Sequence, residues 1–587
     1  MSPQQKSELA NRALAHQREG RIDLAEAAWK TLREADPGDA RALAMLGLIA
    51  AGKGDVPRAI GLLVDSLQRD PGNIAMRFNL ALLQRQAGEL ASALAGFEQV
   101  LAQRPGETRV LPHKAEALQA LGRHEEAIRC FIQLRQAGPL GPELLGRFGE
   151  SLFEAGRHEE AHAAFAQALR AQPDSAELLM NLGVAELALL RHDAALATLE
   201  KARQRAPDRP EIEFNLANAL CAVNRFDEGI RIYEHLLAQN PNDGQARMNL
   251  ANALRDVQHH SEAMPHYDRL LAQPDAPAGV RWNRALCLLG AGDFAHGWPA
   301  YEQRIEEERF GHARSFDAPR WTGIEPLQGK TLLIHAEQGL GDTLQFCRYV
   351  PLVASRGVRI VFEVQRSLLG SLRSLQGVDV LAGRGDALPA HDFHCPLMSL
   401  PLALGLFDMQ SLAGEVPYLQ ADPERVDHWR QSIASQPGPR IGIVWTGNPD
   451  HPENHKRSIA LAPLRASLPA NASVWSLLLP ETLKQADAGT EGPAIQCFDA
   501  SDFVNTAAQI MALDLLITTD TSIAHLAGAL GAPAWLLLPY AADWRWFTSS
   551  ETTPWYPAFR VFRQPSPGDW DGALSELRAA LGTFFTP

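Results

Sequence analysis

The sequence predicts a multidomain chain in two halves: an all-α solenoid of stacked helical hairpins, then two open α/β domains. Landmark residues recur every 34 positions through the first half. Short β-branched runs then alternate with helical stretches. Two glycine- or threonine-bearing segments stand where such strands give way to helices. A chain of 587 residues also exceeds what one hydrophobic core can hold.

The repeat comes first in the chain. Proline falls at Pro37, Pro71, Pro105, Pro139, Pro173, Pro207 and Pro241, ending each unit because it cannot continue a helix. Two columns of small residues, Ala25 to Ala263 and Ala13 to Ala285, let paired helices approach closely. A further column reads Gly20, Gly54, Gly88, Gly122, Gly156, Leu190, Asn224, Gln258 and Gly292, and marks a turn that requires a positive φ. This pattern resembles the tetratricopeptide repeat, with about nine copies over residues 1–310. The resemblance implies a solenoid with a concave surface that binds a protein or peptide.

Asn79, Asn181, Asn215, Asn249 and Asn283 share one column on the first helix of their repeats, where Met45, His113 and Arg147 fill the other places. An amide both donates and accepts, so such a ladder can grip an extended peptide without reading its side chains. The arrangement is similar to the array of nucleocytoplasmic O-linked N-acetylglucosamine transferases, where the ladder binds protein substrates. The alternative is that these amides bond to neighbouring repeats or to water.

The second half opens after a helix over Asp293 to Glu308 and an irregular junction from Arg309 to Lys330. Strands are expected at Thr331–His335, Arg359–Val364 and Asp379–Leu381. A linking helix covers Asp422 to Ser435, and a second set of strands follows near Ile441–Trp445, Val474–Leu479, Leu515–Thr519 and Ala534–Leu538. A closing helix spans Asp569 to Phe584. The expected organisation is a solenoid at 1–310, a linker at 311–329, and Rossmann-like domains at 330–420 and 421–587. Ligands in such sheets sit beyond the carboxyl ends of the strands.

Two segments occupy those ends. Glu337-Gln338-Gly339-Leu340-Gly341-Asp342-Thr343-Leu344 follows the first strand and opens a helix. Thr519-Asp520-Thr521-Ser522-Ile523-Ala524-His525 repeats the strand, turn, helix plan in the second domain, where the exposed amides and helix dipole suit an anion. Together these resemble glycosyltransferase family 9, the heptosyltransferase-like enzymes of GT-B fold. The resemblance implies Asp342 as general base beside Gly341, and Asp520, Thr521, Ser522 and His525 as donor contacts. It further implies Lys456 and Arg457 as contacts to the diphosphate, with Thr446 and Asn448, in the loop after the first C-domain strand, among the donor-binding residues. Ser522 stands where the family has glycine, and Asp543-Trp544-Arg545-Trp546 departs from its usual ending.

The implied reaction is an inverting, metal-independent transfer of a sugar from a nucleotide sugar to an acceptor hydroxyl, with no further cofactor. The solenoid would recruit a protein acceptor. Two other readings stay open: an envelope-glycan transferase with the repeats as docking arm, and a non-catalytic scaffold. Cutting the chain near residue 310 would separate the first two.

Bulk properties narrow the class. A formal charge of −14 argues against a nucleic-acid partner. The lack of an 18-residue apolar run predicts no transmembrane segment. The polar, in-register N-terminus and scattered Cys130, Cys221, Cys287, Cys347, Cys395 and Cys497 suggest a cytoplasmic protein with reduced thiols.

Several motifs are set aside. Gly339-x-Gly341 followed by Glu363 imitates a dinucleotide fingerprint but lacks its third glycine, since Leu344 stands there. Gly329-Lys330-Thr331 precedes a strand where a phosphate loop should follow one. His391-Asp392-Phe393-His394-Cys395 reads as a strand end, not a metal site. Asp569-Trp570-Asp571 reads as a helix cap.

Overall fold

The structure is a computed structural model. It describes residues 1–273, 276, 279–305, 314–337, 339–436, 438–449, 454–486, 489, 491–498, 502–547 and 550–585. Gln338, Glu308 and Arg309, which belong to the expected loop, helix and junction, lie outside the described residues. The chain divides into two compact units, Met1–Val223 and Asn224–Pro587.

The first unit is all helix, from Pro3–Arg18 to Pro210–Ala222, each helix packing on the next. The 34-residue period sets this arrangement. Ala13, Ala81 and Ala115 are fully buried, as are Ala25, Ala59, Ala93 and Ala127. At two glycines of the column the packing leaves no room for a methyl group: a Cβ on Gly149 would stand 2.6 Å from the Phe165 ring, and one on Gly183 2.6 Å from Leu199. The turn column is left-handed throughout. Gly20, Gly54, Gly88, Gly122 and Gly156 have φ between 70° and 82°, and Leu190 is held at 58°.

The second unit opens with the last helical hairpins, Phe226–Gln239 to Phe294–Tyr301, and continues the left-handed column at Asn224, Gln258 and Gly292. The expected helix to Glu308 stops at Tyr301 and tightens into a 3₁₀ turn, Glu302–Ile305. Four parallel strands follow: β1 Thr331–His335, β2 Arg359–Val364, β3 Val380–Gly383 and β4 Phe393–Pro396, ordered β3-β2-β1-β4. After the linking helix Pro423–Ile433 come β5 Arg440–Val444, β6 Ser473–Ser476, β7 Ile495–Cys497, β8 Leu515–Thr519, β9 Ala534–Leu538 and β10 Phe559–Arg563. Their order, β10-β9-β8-β5-β6-β7, is a doubly wound parallel sheet.

Thus β1, β2, β8 and β9 fall on the expected residues, whereas β7 and β10 were not anticipated and β4 was foreseen as no more than a strand end. β7 is three residues long, and β10 carries Arg560 and Arg563 among apolar residues at a sheet edge. The region expected to be a linker is built into the fold. Trp321 is fully buried, its backbone N–H donates to the His394 carbonyl at 2.8 Å, and Arg320 bridges β4.

The expected boundary at residue 310 falls inside the second unit because the last hairpin shares a core with the sheets. Phe294, Trp298 and Tyr301 are buried in one apolar cluster with Leu332, Phe346, Leu516 and Trp544. The Trp298 indole N–H donates to the Leu406 carbonyl at 3.1 Å, and its ring meets Trp544 edge-on at 5.6 Å. Buried Arg304 then donates from Nε and Nη2 to the two carboxylate oxygens of Glu337, at 3.0 Å each, tying the end of the repeats to the loop after β1.

Candidate functional site

In doubly wound sheets the crevice lies where strand order reverses. In the larger sheet that point is between β5 and β8; in the smaller it is between β1 and β4. The segments after β1, β5 and β8 all line one cavity of about 1040 Å³. Its walls include Gly341 and Asp342 from the first segment, and Thr446, Asn448, Lys456 and Arg457 from the second. Asp520, Thr521, Ser522 and His525 come from the third. Every predicted catalytic and donor-side residue therefore borders the same space. The last hairpins close a further side with Asp256, Trp282 and Asn283, and the segment after β9 adds Asp543 and Arg545.

The loop after β5 is shaped by its own short helix, Asn454–Arg457. Asn454 Oδ1 accepts from the Gly447 N–H at 3.0 Å, while its Nδ2 donates to Thr446 Oγ1 at 3.2 Å. This folding turns Lys456 and Arg457 towards the cavity mouth. His451 of that loop lies outside the described residues.

The helix after β8, Ser522–Ala529, begins at Thr521 with no side-chain cap, so its first amides present their positive end to the cavity. His525, on its first turn, is 5% exposed. Its ring stacks on Trp546 at 5.3 Å, and its Nδ1 lies 2.9 Å from the Tyr556 hydroxyl. Burial, reinforced by Arg545, Arg348 and Arg457, holds its pKa well below the usual histidine range, so the ring is neutral. Its Nε2 lies 3.9 Å from Asp520 Oδ1. The ring also presses on Gly341: a Cβ there would stand 2.8 Å from His525 Cδ2. Glycine is needed at 341 for this close approach across the cleft.

Two of the carboxylates in the cavity wall are shifted upward by burial. Asp520 is pushed up to about 6, chiefly by burial, with Asp543 adding repulsion and Arg457 and Arg545 pulling the other way. Asp342 is also raised by burial, against the opposing charge of Arg545. Both of its oxygens are engaged. Oδ2 accepts from the Gly339 N–H at 2.9 Å, capping the helix Leu340–Phe346, and Oδ1 accepts from Arg545 Nη2 at 2.5 Å. Asp342 thus fills the capping role open to an aspartate in a first helical turn, and it is also half of an ion pair that the sequence reading did not foresee.

Two of the five ladder asparagines bond to the preceding repeat. Asn181 donates to Glu150 at 3.3 Å and Asn283 to Asn252 at 2.9 Å, each reaching 31 residues back to the preceding repeat. Arg147, in the same column, pairs with Glu116 at the same spacing. At Asn215 the residue 31 back is Val184, which cannot accept, and the amide donates instead to the Glu211 carbonyl of its own helix at 2.8 Å. Asn79 and Asn249 sit half-buried at the equivalent helix positions. Of the five, Asn283 lies in the cavity wall.

The motifs set aside behave accordingly. Glu363 pairs with Arg314, with Nη2 at 3.1 Å. His394 lies on β4, 3.3 Å from His335. Asp569 caps the closing helix, accepting from the Gly572 N–H at 2.8 Å. None of the six cysteines is joined in a disulfide. Among the described residues no trio of His, Cys, Asp or Glu is grouped to hold a metal ion, and no helix is long and apolar enough to cross a membrane.

The family description "Tetratricopeptide repeat" matches residues 11–74, 50–111, 84–146, 147–210 and 190–253. Residues 11–253 are therefore tetratricopeptide repeats, a class of array that engages protein or peptide partners. Protein FlbA of Caulobacter vibrioides is 28% identical over 331 residues, 50% of this chain and 53% of FlbA. The chain thus spans about half the length of that curated relative. Among solved structures, a tetratricopeptide repeat protein from Parabacteroides merdae is 16% identical, covering 43% of this chain and 99% of its own, with a TM-score of 0.32. YrrB, described as a TPR protein with an unusual peptide-binding site, is 15% identical over 31% of this chain and 95% of its own, with a TM-score of 0.28.

Proposed function

We propose that the second unit is a GT-B glycosyltransferase, similar to family 9, that inverts the anomeric centre and works without a metal. The observation that carries this reading is the single cavity bordered by the strand-end segments of both sheets. Lys456, Arg457 and the uncapped amides at Thr521 and Ser522 would hold the diphosphate of a nucleotide sugar. Neutral His525 would donate a hydrogen bond from Nε2, and Asn448 and Thr446 would border the nucleotide. Charge gathers on the leaving diphosphate as the glycosidic bond breaks, and this cationic wall would stabilise it. Asp342 would take the proton of the attacking hydroxyl, a contribution of ~10²–10⁴-fold. The repeats would bring a protein acceptor to the side of the cavity bordered by Asp256, Trp282 and Asn283.

Thermal melts with UDP, GDP, ADP and CDP test the donor half: a ligand at about 100 times its Kd raises stability by roughly 2.7 kcal/mol. Transfer of labelled sugar by wild type and not by Asp342→Ala tests the base. Equal transfer by both would remove Asp342 from the reaction.

One observation favours the scaffold reading. Both oxygens of Asp342 are bonded within the protein. No stabilisation by any nucleoside diphosphate would decide for that alternative.

A further inference from the structure

The segment that departs from the family pattern, Asp543 to Phe547, is folded into the cavity wall. Trp544, Arg545 and Trp546 are buried, and Phe547 closes the segment at a φ of 53°, a strained conformation for a bulky residue. Arg545 is 7% exposed and all three of its guanidinium nitrogens are bonded. Nη2 donates to Asp342 Oδ1 at 2.5 Å, Nε to Gln345 Oε1 at 2.8 Å, and Nη1 to Asp543 Oδ1 at 2.8 Å. Asp342 and Gln345 stand three residues apart on the helix after β1, hence on one face of it. The guanidinium lies 4.5 Å from the Trp544 ring centroid, and the Arg545 carbonyl accepts from the Trp555 indole N–H at 2.6 Å. An arginine carried by the second sheet's domain is thus fixed against the helix that bears the proposed base.

We infer that Arg545 is a positioning residue: its guanidinium fixes the Asp342 carboxylate in one orientation and places a compensating positive charge against it where water is excluded. This rests on the proposed reading of Asp342 as the base. A base must be unprotonated to accept the hydroxyl proton, and desolvation works against that. The charged and titratable groups around Asp342 are Arg545 and Asp543 from the segment after β9, Glu337 from its own loop, Tyr301 from the last hairpin, and neutral His525 behind Gly341. Glu337 is already matched by Arg304. Arg545 is therefore the cation that offsets burial at Asp342. Its fork also leaves the Asp342 carboxylate one fixed orientation, because Oδ2 is held by the Gly339 amide.

The test is the pH profile of nucleoside diphosphate release by the full chain, using the donor turned over fastest in a panel of UDP-, GDP-, ADP- and CDP-linked sugars. In Arg545→Gln the acid limb should move to higher pH by roughly 1–3 units, the span an adjacent opposite charge commands. Arg545→Lys should recover part of the shift, since it restores charge without the fork. Asp543→Asn keeps the arginine and removes a like charge, so its limb should move to lower pH; it serves where Arg545→Gln does not fold. An unmoved limb in all three, with only a lower plateau, would overturn the inference and leave the base assignment standing. Turnover by Asp342→Ala equal to wild type, or no turnover of any donor by wild type, would overturn the reading beneath it.

Discussion

Gly341→Ala puts one methyl group where the two α/β domains come closest. The Cβ would stand 2.8 Å from His525 Cδ2, well inside the ~3.5–4.0 Å at which carbon atoms pack favourably. His525 has little room to retreat, because Trp546 stacks on its other side and Tyr556 fixes Nδ1. Two effects oppose each other. Alanine in place of glycine favours a helix by up to about 1 kcal/mol. Overpacking a closed site costs roughly 1–3 kcal/mol. The residue sits in the first turn of a seven-residue helix, where the propensity gain is smallest, so overpacking should win by about 1–2 kcal/mol. Thermal melts should show a transition a few degrees below wild type, with weaker stabilisation by whichever nucleoside diphosphate binds. A variant as stable as wild type, with unchanged nucleotide stabilisation, would show that the histidine yields freely and is not boxed.

Leu190→Gly should raise stability by about 0.5–1 kcal/mol: Leu190 is 66% exposed, and its φ of 58° strains an L-residue by roughly 1–2 kcal/mol, partly offset by the greater freedom of glycine when unfolded. A denaturant midpoint below wild type would contradict this. Asp520→Asn should stabilise the apo protein near pH 8 and lose that advantage towards pH 4. Its folded pKa of about 6 lies above the ordinary 3.8, so the folded state binds the proton more tightly and stability falls as pH rises between the two values, by about 3 kcal/mol in all. Equal effects at both pH values would refute the shift. A fragment starting at Asn224 should melt cooperatively and keep nucleotide binding, whereas one starting after residue 310 should aggregate, because it strips Phe294, Trp298 and Tyr301 from the shared core. Soluble, cooperative behaviour of the shorter fragment would refute the fused core.

The sequence was most legible where the physics is local. The turn column announced left-handed backbone at nine positions, including the three where glycine is replaced, because φ is decided within a few residues. The strand ends bearing Asp342 and Asp520 were readable for the same reason: strand, tight turn and helix start are contiguous. Arg545 was visible only as a departure from pattern, since its partner lies 203 residues away. An arginine between two tryptophans was nevertheless a sign of burial, because so apolar a setting is unusual for a surface loop. The fate of the ladder amides was half legible. Their column was plain, but whether each amide finds an acceptor depends on the residue 31 positions earlier, as Glu150 and Val184 illustrate. The boundary was less legible: the turn column runs on to Gly292, so periodicity alone did not show that Phe294, Trp298 and Tyr301 join the core of the sheets.

Gln258 occupies a turn that glycine satisfies in most other repeats, with φ of 66°. Its side chain reaches out of the turn, and Nε2 donates to the Tyr540 carbonyl at 2.5 Å, in the stretch just after β9 whose neighbours Pro539 and Ala541 line the cavity. A glycine would relax the backbone and sever that tether. Gln258 thus ties the turn of the penultimate hairpin to the rim of the cavity, so a tilt of that hairpin would be felt at the rim. Optimising the repeats for stability alone would uncouple the arm from the tool it carries.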